Sequence, residues 1–108
     1  MNDLVRRLTD QEHPVVVGLR PELTVAAFKR ALDNGFVHIK FTDTVGGTEL
    51  GVRLDRERSD LASADFQASA GHVRVIGDLT LDYVKVRCIA EIDMPSLAGK
   101  GRLEIVPQ

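Results

Sequence analysis

The sequence predicts an α+β domain, an antiparallel sheet of about six strands with one or two N-terminal helices packed on its apolar face. Three observations predict it. Residues 72–93, HVRVIGDLTLDYVKVRCIAEID, are two long runs of alternating apolar and polar residues that meet at Asp82-Tyr83, the pattern of a half-buried hairpin. Residues 36–54 repeat the alternation on either side of a glycine-containing connection. Residues 21–34 instead place Val25, Phe28, Ala31 and Leu32 at helical spacing, and Asn34-Gly35 stops that helix, because glycine accepts the left-handed conformation after a last turn.

The bulk properties set the frame. A chain of 108 residues fits one domain, 1–108, with one core. Its 44% apolar and 28% charged residues are ordinary for a globular protein. A net charge of −2 lacks the basic excess that phosphate neutralisation needs, so no nucleic-acid partner is expected. No apolar run approaches the roughly 20 residues of a membrane span, and residues 1–13 are too charged for a signal peptide. The single cysteine allows no internal disulfide. Together these point to a cytoplasmic protein with no membrane partner.

In chain order, residues 2–12 read as a short helix. Asn2 or Asp3 caps it, Leu4, Val5 and Leu8 share a face, and Pro14 prevents its extension. Residues 14–19, PVVVGL, read as a short buried strand or an extended arm. The 21–34 helix starts at Pro21 or Thr24 and leaves Lys29, Arg30 and Asp33 in water. Residues 36–42 put Val37, Ile39 and Phe41 on one face, and residues 49–54 do the same with Leu50, Val52 and Leu54. With Thr44 to Gly47 as the loop, Phe41 faces Leu50, Ile39 faces Val52 and Val37 faces Leu54; His38 then lies near Arg53 and Thr42 near Glu49. Residues 55–64 are a polar link with Ser59 as the cap of one helical turn. Residues 66–69 read as a short strand pairing Phe66 with Val75 and Ala68 with Val73.

The 72–93 hairpin has the most constrained register. With Asp82-Tyr83 as a two-residue turn, Leu81, Leu79, Gly77, Val75 and Val73 pair with Val84, Val86, Cys88, Ala90 and Ile92 on the inner face. The outer face pairs Thr80 with Lys85, Asp78 with Arg87, Ile76 with Ile89, Arg74 with Glu91 and His72 with Asp93. A slip of one residue would drive Asp78, Arg87 and Glu91 into the core. Residues 101–106 form the last strand. Its preferred pairs are Asp93–Lys100, Glu91–Arg102 and Arg87–Glu104, since the alternative sets Glu104 opposite Glu91. Charge rows Asp78–Arg87–Glu104 and Arg74–Glu91–Arg102 are expected on the outer face.

Chemistry is sparse. The densest polar cluster is DTVGGTE, where Asp43, Thr44, Gly46, Gly47, Thr48 and Glu49 surround a flexible loop. Its amides are suited to an anion, and Asp43 or Glu49 to a proton-carrier role, though ordinary turn chemistry explains the same residues. No GxxxxGK[ST] phosphate loop is present, and no cofactor is implied. His13, His38 and His72 are too scattered for a metal site. Cys88 points inward as a small hydrophobe. Gly77 breaks the apolar row and leaves room for the helix crossing the sheet. Ile76 and Ile89 form an apolar spot among charges, suited to a homodimer or protein-partner contact.

The hairpin FVHIKFTDTVGGTELGVRLD, after its helix and with glycines at its tip, resembles the sterol-carrier type of lipid-binding domain. That family's C-terminal helix has no counterpart, since residues 101–106 read as a strand. The resemblance implies a small apolar ligand between helix and sheet. The expected function is therefore a non-catalytic accessory or binding domain for a protein partner or small apolar ligand. The alternatives are a cofactor-independent isomerase or cyclase using Asp43 or Glu49, and a structural dimerisation subunit.

Overall fold

The computed structural model describes residues 3–19 and 22–107. Those residues form a mixed α+β fold with helices α1 (Asp3–Asp10) and α2 (Val25–Asn34). The strands are β1 (His13–Gly18), β2 (Phe36–Phe41), β3 (Thr48–Arg53), β4 (Ala64–Asp65), β5 (Ala70–Leu81), β6 (Val84–Asp93) and β7 (Ala98–Ile105). They make one antiparallel sheet in the order β3-β2-β1-β7-β6-β5-β4, seven strands where about six were expected. The valine run that read as a strand or an arm is β1, an interior strand between β2 and β7. Pro14 is tolerated at its second position, next to the strand start, and its carbonyl still accepts the Thr42 N–H at 3.2 Å.

The β5–β6 hairpin has the expected register at all ten pairs, from His72↔Asp93 to Leu81↔Val84. Asp82 and Tyr83 turn the chain with φ of 48° and 68°, the doubly left-handed geometry of a type I′ turn that matches strand twist. Val73, Val75, Val86, Cys88, Ala90 and Ile92 are fully buried. Val5 and Leu8 from α1 and Phe28 and Leu32 from α2 belong to the same core cluster. Burial pushes the Cys88 thiol up to about 12.

α2 begins at Thr24, whose hydroxyl accepts the Ala27 N–H at 3.1 Å; Pro21 and Asn2, the other proposed helix starts, lie outside the described residues. The helix ends as predicted at Gly35, φ 80°, whose N–H reaches the Ala31 and Leu32 carbonyls. Arg56 then donates to the Leu32 and Asp33 carbonyls at 3.1 and 2.9 Å, serving further orphan acceptors at the helix end.

The sheet curls until the end of β3 meets β5. Asp55 donates its N–H to the Ile76 carbonyl at 2.8 Å. Gly77 lies directly against the Arg53 carbonyl, so the space its missing side chain leaves is taken by β3 and not by the helix. The link after β3 continues the seam. Ser59 is no helix cap: its hydroxyl donates to the Ile76 carbonyl at 3.1 Å and accepts the Ile76 N–H at 2.9 Å. Asp55 does the local capping instead, accepting from the Glu57 and Arg58 N–H groups.

Three pairings differ from expectation. In β2–β3, Phe41 faces Thr48, Ile39 faces Leu50 and Val37 faces Val52, two residues from the predicted register. A two-residue slip keeps every side chain on its face, so alternation cannot detect it. It does change neighbours: Glu49 lies opposite Lys40, and His38 opposite Gly51. In β6–β7, Arg87↔Glu104 holds, but Glu91 faces Lys100 and Ile89 faces Arg102. The three predicted pairs cannot share one unbulged ladder. Arg102 consequently pairs along its own strand with Glu104 at 3.0 Å, outside the Arg74–Glu91 pair. Finally, β4 is Ala64–Asp65, and residues 66–69 form a turn with Ser69 at φ 52°. Phe66 there meets the Phe28 ring edge-on at 6.5 Å instead of pairing with Val75. His72 and Asp93 are opposite in register, and no ion pair joins them.

Candidate functional site

The 43–49 segment does not act as one cluster. Residues 42–47 turn the chain, with Gly46 and Gly47 at φ 73° and 74° and the Gly47 N–H donated to the Thr44 carbonyl. The Thr44 and Thr48 hydroxyls bond each other at 2.8 Å, and Val45 stands fully exposed at the tip. On one side of this turn Asp43 joins α1. On the other, Glu49 joins a groove beside α2.

On the α1 side the centre is His13, 2% exposed. Its Nδ1 lies 2.8 Å from Asp43 Oδ2, and its Nε2 lies 2.7 Å from the Arg7 carbonyl and 3.3 Å from Asp10 Oδ1. The Arg7 guanidinium closes the circuit by donating to the Asp43 backbone carbonyl at 2.9 Å. Burial by itself lowers the His13 pKa. The hydrogen bonds to Asp43 and Arg7, the Asp43 charge and the Asp10 contact outweigh it and hold the value above normal. The His13 hydrogen bond in turn holds the Asp43 carboxyl below its usual range, helped by the nearby positive charges of His13 and Arg7.

On the α2 side the floor is a row across three strands, Gly18↔His38↔Gly51. A Cβ on Gly18 would run into the Glu49 carboxylate, and one on Gly51 would stand 2.5 Å from Phe36 Cζ. The two glycines thus let Glu49 and Phe36 lie across the sheet. The Phe36 and His38 rings meet edge-on at 5.1 Å and 85°. Ala27, Arg30, Ala31 and Asn34 of α2 form the facing wall of an open groove of about 560 Å³. Phe36 remains 46% exposed there. By contrast, Phe28 and Leu32, on the buried side of the same helix, are 0% and 1% exposed within the core.

Other chemistry is limited. Cys88 is sealed in the core with its thiol pKa near 12, far from the thiolate a nucleophile needs. Among the described residues, no three His, Cys, Asp or Glu side chains come together to hold a metal ion. No helix there is long and apolar enough to cross a membrane. Ile76 and Ile89 face each other across β5–β6, both half-buried.

Sequence reading missed His13, Arg30, Phe36 and His38 as site residues. His13 and Asp43 are 30 positions apart, and no local spacing links them. Gly51 is the available signal, since glycine inside a strand marks a close approach; Gly18, at the end of β1, carries it less plainly. No known family model matches the chain, and no curated protein is significantly similar to it.

Proposed function

We propose that this chain is a non-catalytic binding domain that takes a small, largely apolar ligand with a polar end in the groove between α2 and the outer face of β1–β3. The carrying observation is the glycine pair. Glycine within a strand costs about 0.5–1 kcal/mol relative to alanine; Gly51 lies inside β3 and Gly18 ends β1, and both stand where another group lies close to the backbone. Here they flank His38 and let Phe36 and Glu49 lie flat in an open groove. The apolar part of a ligand would rest on Phe36, Leu19, Ala27 and Ala31, and its polar end would meet Arg30, Asn34 and His38. In this reading the helices also cover the apolar face of the sheet.

The alternatives have less support. A proton carrier needs a carboxyl held near neutrality, whereas Asp43 is held low and spent on His13. A partner contact at Ile76 and Ile89 would use side chains that are already half-buried.

Titration with anilinonaphthalene sulfonate, an aromatic probe with a charged end, tests the proposal. Saturable fluorescence with amide shifts at Gly18 and Gly51 is expected in the wild type. Ala27→Trp, which fills the groove from the helix side, should abolish both. Undiminished binding by the folded variant would place the probe elsewhere and overturn the assignment.

A further inference from the structure

The His13 cluster lies apart from the groove and has its own logic. Both ring nitrogens face groups that can only accept: the Asp43 carboxylate and Arg7 carbonyl, with the Asp10 carboxylate as a third. Only the imidazolium, with two N–H donors, satisfies both sides. A neutral ring must aim a lone pair either at Asp43 or at Arg7 and Asp10. In a site that is 2% exposed, water has little room to relieve that conflict.

We propose that His13 is a pH-operated latch that ties the end of α1 to the β2–β3 turn while it is charged and lets one of them go when it is neutral. The two arms belong to different elements. Arg7 and Asp10 are on α1, and Asp43 lies just after β2. Among the described residues, the charged side chains shown bonded to or acting on His13 are Asp43 and Asp10, while Arg7 meets it through its backbone carbonyl. From β2, the Phe41 ring meets it edge-on at 6.4 Å; from β7, Gly101 is its partner in the ladder and carries no charge. Lys100, opposite Pro14, belongs to the other face by alternation. The turn is the arm expected to leave, because Asp43 is one-third exposed whereas α1 keeps Val5 and Leu8 buried. The raised His13 pKa agrees with a charged resting state.

The sign follows directly. A group whose pKa is raised by folding stabilises fully below its unfolded value, here 6.5, and ceases to do so as pH rises through the folded value. The latch is therefore closed in mild acid and opens on the alkaline side.

The test is an NMR titration of ring-labelled protein with amide exchange corrected for the intrinsic pH effect. His13 should titrate above 6.5. Protection at the Thr42 and Gly47 amides should fall about tenfold across that titration, the scale of one lost charge-assisted hydrogen bond. His13→Gln, whose amide always has one donor end and one acceptor end and does not titrate, should remove the step. Asp43→Asn, which keeps an acceptor but not the charge, should move the His13 midpoint down and the exchange step with it. A His13 midpoint at or below 6.5, an exchange profile with no step at that midpoint, or a step that survives in His13→Gln would each overturn the latch.

Discussion

Replacing Gly77 by alanine tests how the sheet closes. The new Cβ would collide with the Arg53 carbonyl oxygen and stand 2.7 Å from Val52 Cγ1. The first obstacle is backbone, so no rotamer change clears it. Either β3 moves away from β5 or the strands bend. Overpacking of this kind costs roughly 1–3 kcal/mol. Displacing β3 also strains the Asp55 N–H bond to the Ile76 carbonyl, one position before Gly77, worth about 0.5–1.5 kcal/mol. A loss of about 3 kcal/mol is expected. For a chain of 108 residues, at about 2.1 cal/mol/K of unfolding entropy per residue, that lowers Tm by roughly 13 °C.

Urea unfolding followed by circular dichroism, with a thermal melt, measures it. The midpoint should fall with the slope unchanged, since the surface exposed on unfolding is the same. Gly101→Ala is the control. Its Cβ would find its nearest neighbours at 3.2 Å, one of them the Ala90 methyl, so its cost should be clearly smaller. Amide shifts add a directional check. They should concentrate at 52–60 and 74–78, where the seam lies, and spare α2. A Gly77→Ala protein within 1 kcal/mol of wild type, or shifts centred on α2, would refute the β3–β5 seam.

Other outcomes follow from named contacts. Tyr83 occupies a left-handed position that favours glycine, so Tyr83→Gly should raise stability by about 1 kcal/mol in urea unfolding. Phe28→Ala empties a fully buried site against Phe66 and should cost about 3–5 kcal/mol by the same assay. Cys88 should resist iodoacetamide at pH 8 in the folded protein and react fully in urea, read by mass spectrometry; rapid native labelling would contradict its burial. Because Asp43 is held below its ordinary 3.8, its stabilising effect is present above that value and lost as pH falls through its folded pKa. Asp43→Asn should therefore flatten the acid limb of the stability profile.

The β5–β6 hairpin was legible because independent constraints coincided. Its turn dipeptide, its alternation and its opposite-charge pairs agree on a single register. The β2–β3 hairpin had only alternation and two glycines, and both are compatible with registers two residues apart. The observed register puts Lys40 opposite Glu49, a pair of opposite sign that the predicted register lacks. Phe66 is ambiguous for a similar reason. An aromatic residue in an alternating context suits a strand, yet its ring is satisfied equally by the Phe28 edge from a turn.

The site residues were harder to read because their meaning depends on which strands become neighbours. Gly18 and Gly51 are 33 positions apart and acquire a shared role only when β2 is inserted between β1 and β3, so that both flank His38. Likewise His13 looked isolated because Asp43 reaches it only after β1 pairs with β2. Local patterns report what a residue's own element requires; they are silent on cross-strand vacancies. A glycine that no turn demands is the exception, since its cost is local and its reason is not. Gly77 breaks the apolar row of its strand, and the reason is the Arg53 carbonyl, not the helix. Gly18 and Gly51 carry the same mark, and in their case the atoms that fill the vacancy are side chains able to move. Substitution there should thus disturb the groove more than the fold: Gly51→Ala should displace Phe36, weaken probe binding and leave the unfolding free energy from urea denaturation within about 1 kcal/mol of wild type. Loss of stability comparable to that of Gly77→Ala would mean that Phe36 is fixed by packing and that Gly51 serves the fold alone.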